Sequence, residues 1–274
     1  MENESSTSPA ALTGAGNVTN SGGSAAVLTV ANAADATFDG IIADGASTTA
    51  LVKNSGGTLT LTNANTFTGG TSISAGVLRV IDGAGNTNAD AALGVATAGV
   101  AIENGATLQA GGDLATTLRT ITLGTGGGII DTNGSTVNLG AGSAVTGTAL
   151  TKSGTGTLRV AGTQTYATLT ASAGTTNLKS ALGTGASTLN ADAIVNIGTS
   201  QTLAAINIGA GGVATLDSAL PSPAPEFGEA GGFASAVGDA ASVAAVPEPG
   251  SLSLLLLGIP VLLRRSVRKT CLTK

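Results

Sequence analysis

Leu51–Gly70 (LVKNSGGTLTLTNANTFTGG) lies without a gap on Leu150–Leu169 (LTKSGTGTLRVAGTQTYATL). Leu51, Lys53, Gly57, Thr58, Leu59, Thr66 and Phe67 meet Leu150, Lys152, Gly156, Thr157, Leu158, Thr165 and Tyr166. The match resumes one residue out of step, with Ser74-Ala75-Gly76 against Ser172-Ala173-Gly174. A chain that repeats itself at this scale is built of units that cannot bury their apolar faces alone, so each must stack on its neighbours.

A smaller unit recurs inside the larger one: a turn with glycine, then Thr-Leu or a near equivalent, then a polar and an apolar residue. It reads Thr58-Leu59-Thr60-Leu61, Val77-Leu78-Arg79-Val80, Thr107-Leu108-Gln109-Ala110, Thr136-Val137-Asn138-Leu139, Thr157-Leu158-Arg159-Val160 and Thr188-Leu189-Asn190-Ala191. The period of two predicts short strands with one buried face. Leu59, Leu61, Leu78, Val80, Leu158 and Val160 point inward, Arg79 and Arg159 outward. Asn63-Ala64-Asn65, Asp82-Gly83-Ala84-Gly85-Asn86 and Asp131-Thr132-Asn133-Gly134 read as turns, and Asn133-Gly134 is also compatible with a hairpin.

A sandwich of hairpins needs a wide core of large side chains. This chain has 42 glycines and 2% aromatic residues, which leaves material only for a thin core of Val, Ile, Leu and Ala. The expected fold is all-β, a right-handed parallel β-helix (β-solenoid). At roughly twenty to twenty-five residues per coil, Ala10 to Asp217 gives about nine coils and a rod of ~45 Å. Phe67 and Tyr166, at equivalent repeat positions, are expected as core plugs.

The expected organisation is a disordered start over 1–9, the solenoid over 10–218, a Pro/Gly/Ala-rich linker over 219–245 and a tail over 246–274. The linker has Pro221, Pro223 and Pro225 at alternate positions, and from Pro221 on its only large apolar residues are Phe227 and Phe233, suited to capping the last coil. In the tail, Ser251–Leu263 reads as a short hydrophobic helix, at ~1.5 Å per residue too short to be a good permanent anchor.

Charge separates these parts. Of 11 Lys and Arg, Arg264, Arg265, Arg268, Lys269 and Lys274 follow Leu263, and all 16 Asp and Glu precede it. The body is therefore more acidic than the net charge of -5 suggests, a poor match for nucleic acid. Cys271 is the single cysteine and has no internal disulfide partner. The start, MENESSTSPAALTG, carries acidic residues where a secretory signal has lysines. The expectation is a chain without an export signal, or one whose true start lies upstream.

Leu51–Val80, with Asn65-Thr66-Phe67-Thr68-Gly69-Gly70-Thr71 and then Ser74-Ala75-Gly76-Val77-Leu78, resembles the autotransporter-associated β-strand repeat of exported bacterial passenger domains. Arg119–Tyr166 is similar to the surrounding family sequence. The resemblance implies a β-helix and no particular chemistry. The tail resembles the PEP-CTERM sorting signal, with Pro247-Glu248-Pro249, an apolar segment and Arg264-Arg265 in order. That second resemblance implies recognition of Pro247, Glu248 and Pro249 by an exosortase-type membrane enzyme. It also implies transient insertion in the inner membrane, with Arg264 and Arg265 held on the cytoplasmic side. The protein would then lie at the cell surface or in the extracellular matrix. A fragment of a true autotransporter passenger would instead need a carboxy-terminal barrel.

The sequence holds no histidine, which removes the usual general base and the commonest metal ligand. No catalytic residue, metal ligand or cofactor is assigned. Asp35, Asp39 and Asp44 are close enough in sequence to bind Ca²⁺ or pair as acid and base, and are equally suited to turns. Asp131, after three glycines, faintly resembles a calcium loop, but the spacing does not repeat. The residues favour a structural or adhesive protein, with an exopolysaccharide matrix as candidate partner. The alternative is a glycan-active β-helix enzyme, lyase or hydrolase. An enzyme would gather carboxylates in one groove, and a scaffold would scatter them at turns.

Overall fold

The computed structural model describes residues 9–81, 88–183 and 187–217, and the strands Ala241–Ala244 and Ser253–Leu254. The chain winds into a parallel β-solenoid of the right-handed type with about nine turns, a rod of ~43 Å at about 4.8 Å per coil. All six recurring tetrapeptides are strands. The described residues include one 3-10 turn, Ala89–Leu93, and no α-helix.

Each middle coil has three strands, such as Thr120–Leu123, Gly128–Asp131 and Thr136–Leu139. The first two faces form one sheet because long strands, such as Thr49–Leu61 and Ala144–Ser153, pass round the corner between them. The third face stacks Leu114–Thr116, Thr136–Leu139, Thr157–Val160, Thr175–Leu178, Ile194–Ile197 and Val213–Leu216. Every pairing between these coils is parallel. The two exceptions are at the end, where Ala241–Ala244 runs antiparallel to Val213–Leu216, and Ser253–Leu254 antiparallel to Ile206–Asn207. The expected hydrophobic helix over 251–263 otherwise lies outside the described residues.

Asn133-Gly134 does not make a hairpin. Asn133 is left-handed (φ 44°), as is Gly134 (φ 84°), and the turn redirects the chain from one face to the next. The strands on either side pair with other coils and not with each other.

Parallel register stacks like on like. Leu51, Leu59, Leu61, Leu78, Val80, Leu158 and Val160 are buried, and so are Phe67 and Tyr166. The core is not wholly aliphatic, however. Arg119, Lys53 and Lys152 are among its largest fully buried side chains, and these cations need partners inside.

Coil length varies along the rod, since Leu51 pairs with Thr71, Thr71 with Val100 and Leu189 with Ile206. Side-chain bonds between adjacent coils join residues 30 apart at Asn104–Ser74 and 17 apart at Asn207–Asn190. The longest coil is the one that contains the 3-10 turn, between Thr71–Val80 and residues 100–110.

Two repeat-equivalent turns require glycine. Gly76 (φ 69°) and Gly174 (φ 66°) are left-handed and lie against carbonyls of the preceding coil, those of Ser55 and Gly57 and those of Gly156 and Gly154. A Cβ there is both strained and obstructed. Gly174→Ala should destabilise the protein by about 1–3 kcal/mol, read from the urea midpoint. Gly112→Ala, at an open site with ordinary φ, should leave it within about 1 kcal/mol of wild type.

Candidate functional site

The buried polar groups define the chemistry that the rod contains. Lys152 follows Leu150 on a strand whose apolar neighbours face inward, so alternation takes its side chain into the core. Its ammonium donates to Thr132 Oγ1 (2.8 Å), Ser153 O (2.9 Å), Gly154 O (2.6 Å) and Ala173 O (2.8 Å). Three successive coils therefore meet on one nitrogen. Burial pushes its pKa down to about 8, while Asp131 pulls the other way. The four oxygens favour the charged form, which is the form present at neutral pH.

Lys53 repeats this arrangement. It donates to Ser55 O and to Ala75 O (3.3 Å), the counterparts of Gly154 and Ala173. Burial also lowers its pKa, and the charge of Asp35 opposes that. The one-residue slip in the sequence alignment falls between each lysine and its acceptor on the following coil, so these two contacts are kept in both repeats.

Arg119 is held more tightly. It makes a two-pronged ion pair with Asp90, Nε to Oδ1 (2.7 Å) and Nη2 to Oδ2 (3.0 Å). Its remaining donors reach Ala98 O (2.5 Å) and Gly94 O (3.2 Å). These carbonyls and Asp90 belong to the 3-10 turn and the segment after it, so the guanidinium pins the longest excursion of the chain to the rod. The fork geometry of arginine suits this role, since a lysine could not serve both carboxylate oxygens and the carbonyls.

Side-chain amides replace strands where the third face lacks them. Asn65 Oδ1 accepts from Ile42 N (2.7 Å), and Asn65 Nδ2 donates to Ala92 O (2.6 Å). This one residue joins the coil before it to the coil after it. Asn88 caps the 3-10 turn at Asp90 N and exchanges two bonds with Ala115. Near Tyr166, whose hydroxyl donates to Gln164, burial raises the pKa well above its ordinary value. Outward-facing Asn177, Asn196, Asn190 and Asn207 form two short amide ladders between coils.

The carboxylates are dispersed. Asp35 accepts from Thr58 N (2.8 Å), Asp39 from Thr62 Oγ1 (2.7 Å), and Asp44 from Thr49 N (2.7 Å) and Thr68 Oγ1 (2.6 Å). Asp113 accepts from Thr136 N (2.7 Å), and Asp131 from Gln109 Nε2 (2.8 Å) and Asn133 N (2.9 Å). Each fastens a turn, mostly to the next coil. Among the described residues, no group of three or more His, Cys, Asp or Glu could hold a metal ion. Pro247, Glu248, Pro249, Arg264 and Arg265 lie outside the described residues, and no helix among those described is long and apolar enough to cross a membrane.

The fold and its contents define a class, a stack of parallel coils held in register by buried polar side chains. The family described as Passenger-associated-transport-repeat matches residues 51–80 and 150–178. No curated protein and no solved structure matches the chain. The two matched stretches are the structural repeats built around Lys53 and Lys152. Each runs through one coil and returns beside itself, pairing Leu61 with Val80 and Val160 with Leu178. The match and the solenoid fit a surface or passenger-type repeat protein.

Lys152→Met leaves three carbonyls and the Thr132 hydroxyl short of a donor, which should cost about 2 kcal/mol or more. Lys53→Met, with fewer acceptors, should cost less. Urea midpoints with unchanged slopes would show this order. Acid should act first at the amino-terminal end. Hydrogen bonds with Thr58 and with Thr68 hold Asp35 and Asp44 below the ordinary value of 3.8. Their stabilisation is complete above that value and disappears as pH falls through the lowered one. The amides of Thr58 and Thr68 should then lose hydrogen-exchange protection before those of Thr175–Leu178, after correction for intrinsic exchange rates.

Proposed function

We propose that the chain is an exported structural or adhesive protein of a bacterial surface or extracellular matrix, without catalytic activity. The dispersed carboxylates support this reading, since each described one discussed above is occupied in fastening a coil. The passenger-type repeat match supports it too. In this reading, the tail directs sorting. An exosortase-type enzyme acts at Pro247-Glu248-Pro249, the apolar segment enters the inner membrane transiently, and Arg264 and Arg265 remain on the cytoplasmic side. The mature rod then contacts the exopolysaccharide matrix through its neutral hydroxyl and amide faces. The competing reading, a glycan-cleaving β-helix, requires paired carboxylates facing a groove, and Asp35, Asp39 and Asp44 are instead engaged separately along the turns.

Deleting Pro247–Lys274 from a form carrying an export signal should change its partition between cell and medium and leave its β-rich circular dichroism intact. Unchanged partition would refute the sorting role.

A further inference from the structure

Two Asn-Gly pairs lie at exposed corners of the rod, Asn104-Gly105 and Asn133-Gly134. Glycine has no side chain to shield its own nitrogen, so each pair has the groups for attack of a backbone amide on the preceding carboxamide. All four residues are left-handed, with φ of 53° and 71° in the first pair and 44° and 84° in the second. Each pair sits in a turn closed by one backbone bond, Ala106 N to Glu103 O (2.8 Å) and Ser135 N to Thr132 O (2.7 Å). Conformation therefore does not distinguish the pairs, but their tethering does. Asn104 N donates to Thr125 O (3.0 Å), Gly105 N to Gly127 O (3.0 Å) and Asn104 Nδ2 to Ser74 O (3.3 Å), which ties that turn to the coils on both sides. Asn133 N instead bonds to its near neighbour, Asp131 Oδ1 (2.9 Å). Among the described residues, the Asn133 carboxamide and the Gly134 N–H have no hydrogen-bond partner.

We propose that Asn133 is a site of spontaneous amide-to-acid modification through Gly134, and that Asn104 is protected by its bonds to the neighbouring coils. Gly134 N loses its proton to solvent base and bonds to Asn133 Cγ, while the Cγ–Nδ2 bond breaks and ammonia leaves with a proton from water. Water then opens the cyclic imide, and Gly134 N regains a proton. Opening at Cγ gives aspartate. Opening at the main-chain carbonyl carbon gives isoaspartate, whose backbone runs through Cγ and is one atom longer. The balance is one water consumed and one ammonia released, with no oxidant or cofactor. Reaction requires the turn to open and rotate. At Asn133 this breaks the turn bond and the Asp131 contact, whereas at Asn104 it breaks the turn bond and three bonds to other coils.

The modification falls beside the Lys152 site. Thr132 donates from N and from Oγ1 to Ser153 O (3.0 Å each), and its Oγ1 accepts from Lys152 Nζ (2.8 Å). An aspartate at 133 places a second carboxylate close to that of Asp131. An isoaspartate lengthens the corner between Gly128–Asp131 and Thr136–Leu139, strands whose register is fixed by the coil on either side. Either product loosens the hydroxyl that completes the shell of the buried ammonium.

The test is incubation of the full chain in mildly alkaline buffer made with oxygen-labelled water, followed by peptide mapping by mass spectrometry. Labelled acid should accumulate at Asn133 about tenfold faster than at Asn104. In concentrated urea, where neither turn exists, the two should convert at similar rates. The isoaspartate fraction should exchange the amides of Thr132 and Ser135 faster than unconverted chain does, with no change at Leu59 and Leu78. Equal conversion of the two asparagines in the folded protein would overturn the proposal, and so would protection of both, or the same preference in urea. Unchanged exchange at Thr132 and Ser135 would overturn the link to Lys152.

Discussion

Backbone hydrogen bonds between one coil and the next are the constraint on which the rest of this structure depends. A strand here has no partner within its own coil, so its N–H and C=O groups are satisfied only by neighbours above and below. That requirement fixes a parallel register, and parallel register places each side chain directly over its counterpart. A column then has to be acceptable at every level. Leucine over leucine satisfies this with no further help. A charged residue does so only where the fold brings oxygens to it, turn carbonyls for Lys53 and Lys152, and for Arg119 the Asp90 carboxylate together with carbonyls.

The buried cations join different parts of the coil. Each lysine gathers carbonyls from a corner and from the following coil, and so sets how far the chain must turn before the next layer begins. Arg119 gathers the backbone of an excursion that has no strand of its own. Asn65 and Asn88 act similarly where the third face is incomplete, because a side-chain amide offers the same donor and acceptor as a peptide group. Specificity in this core therefore comes from polar side chains, while apolar burial supplies most of the driving force.

Much of the architecture was legible in the sequence. The tetrapeptides Thr107–Ala110 and Thr157–Val160 have strand periodicity, and the structure has strands with those limits. Arg79 and Arg159 lie on the outer side of such strands. The lysine pair was visible as an identity between repeats, but its meaning was not, because burial of an ammonium depends on carbonyls that sequence does not locate. Asn65 reads as one more polar turn residue beside Asn63. Only the path of the preceding and following coils shows that it stands in for a strand. The ion pair of Asp90 with Arg119 joins residues 29 positions apart, with no local pattern to connect them. Asn133-Gly134 misleads for a related reason, since the same left-handed pair suits a hairpin and a solenoid corner.

The lysine contacts lie almost wholly inside the stretch that repeats: Lys53 with Ser55 and Ala75, and Lys152 with Ser153, Gly154 and Ala173. A gene segment encoding such a stretch therefore transmits the cation together with nearly all the oxygens that make its burial tolerable. Duplication of that segment would insert a layer that brings the lysine and most of its acceptors with it, whereas bonds that cross the ends of the segment, such as Thr58 to Asp35 and Asn65 to Ala92, would have to be formed again with the new neighbours. Rods of different length are in this way accessible by recombination as far as the buried lysine is concerned.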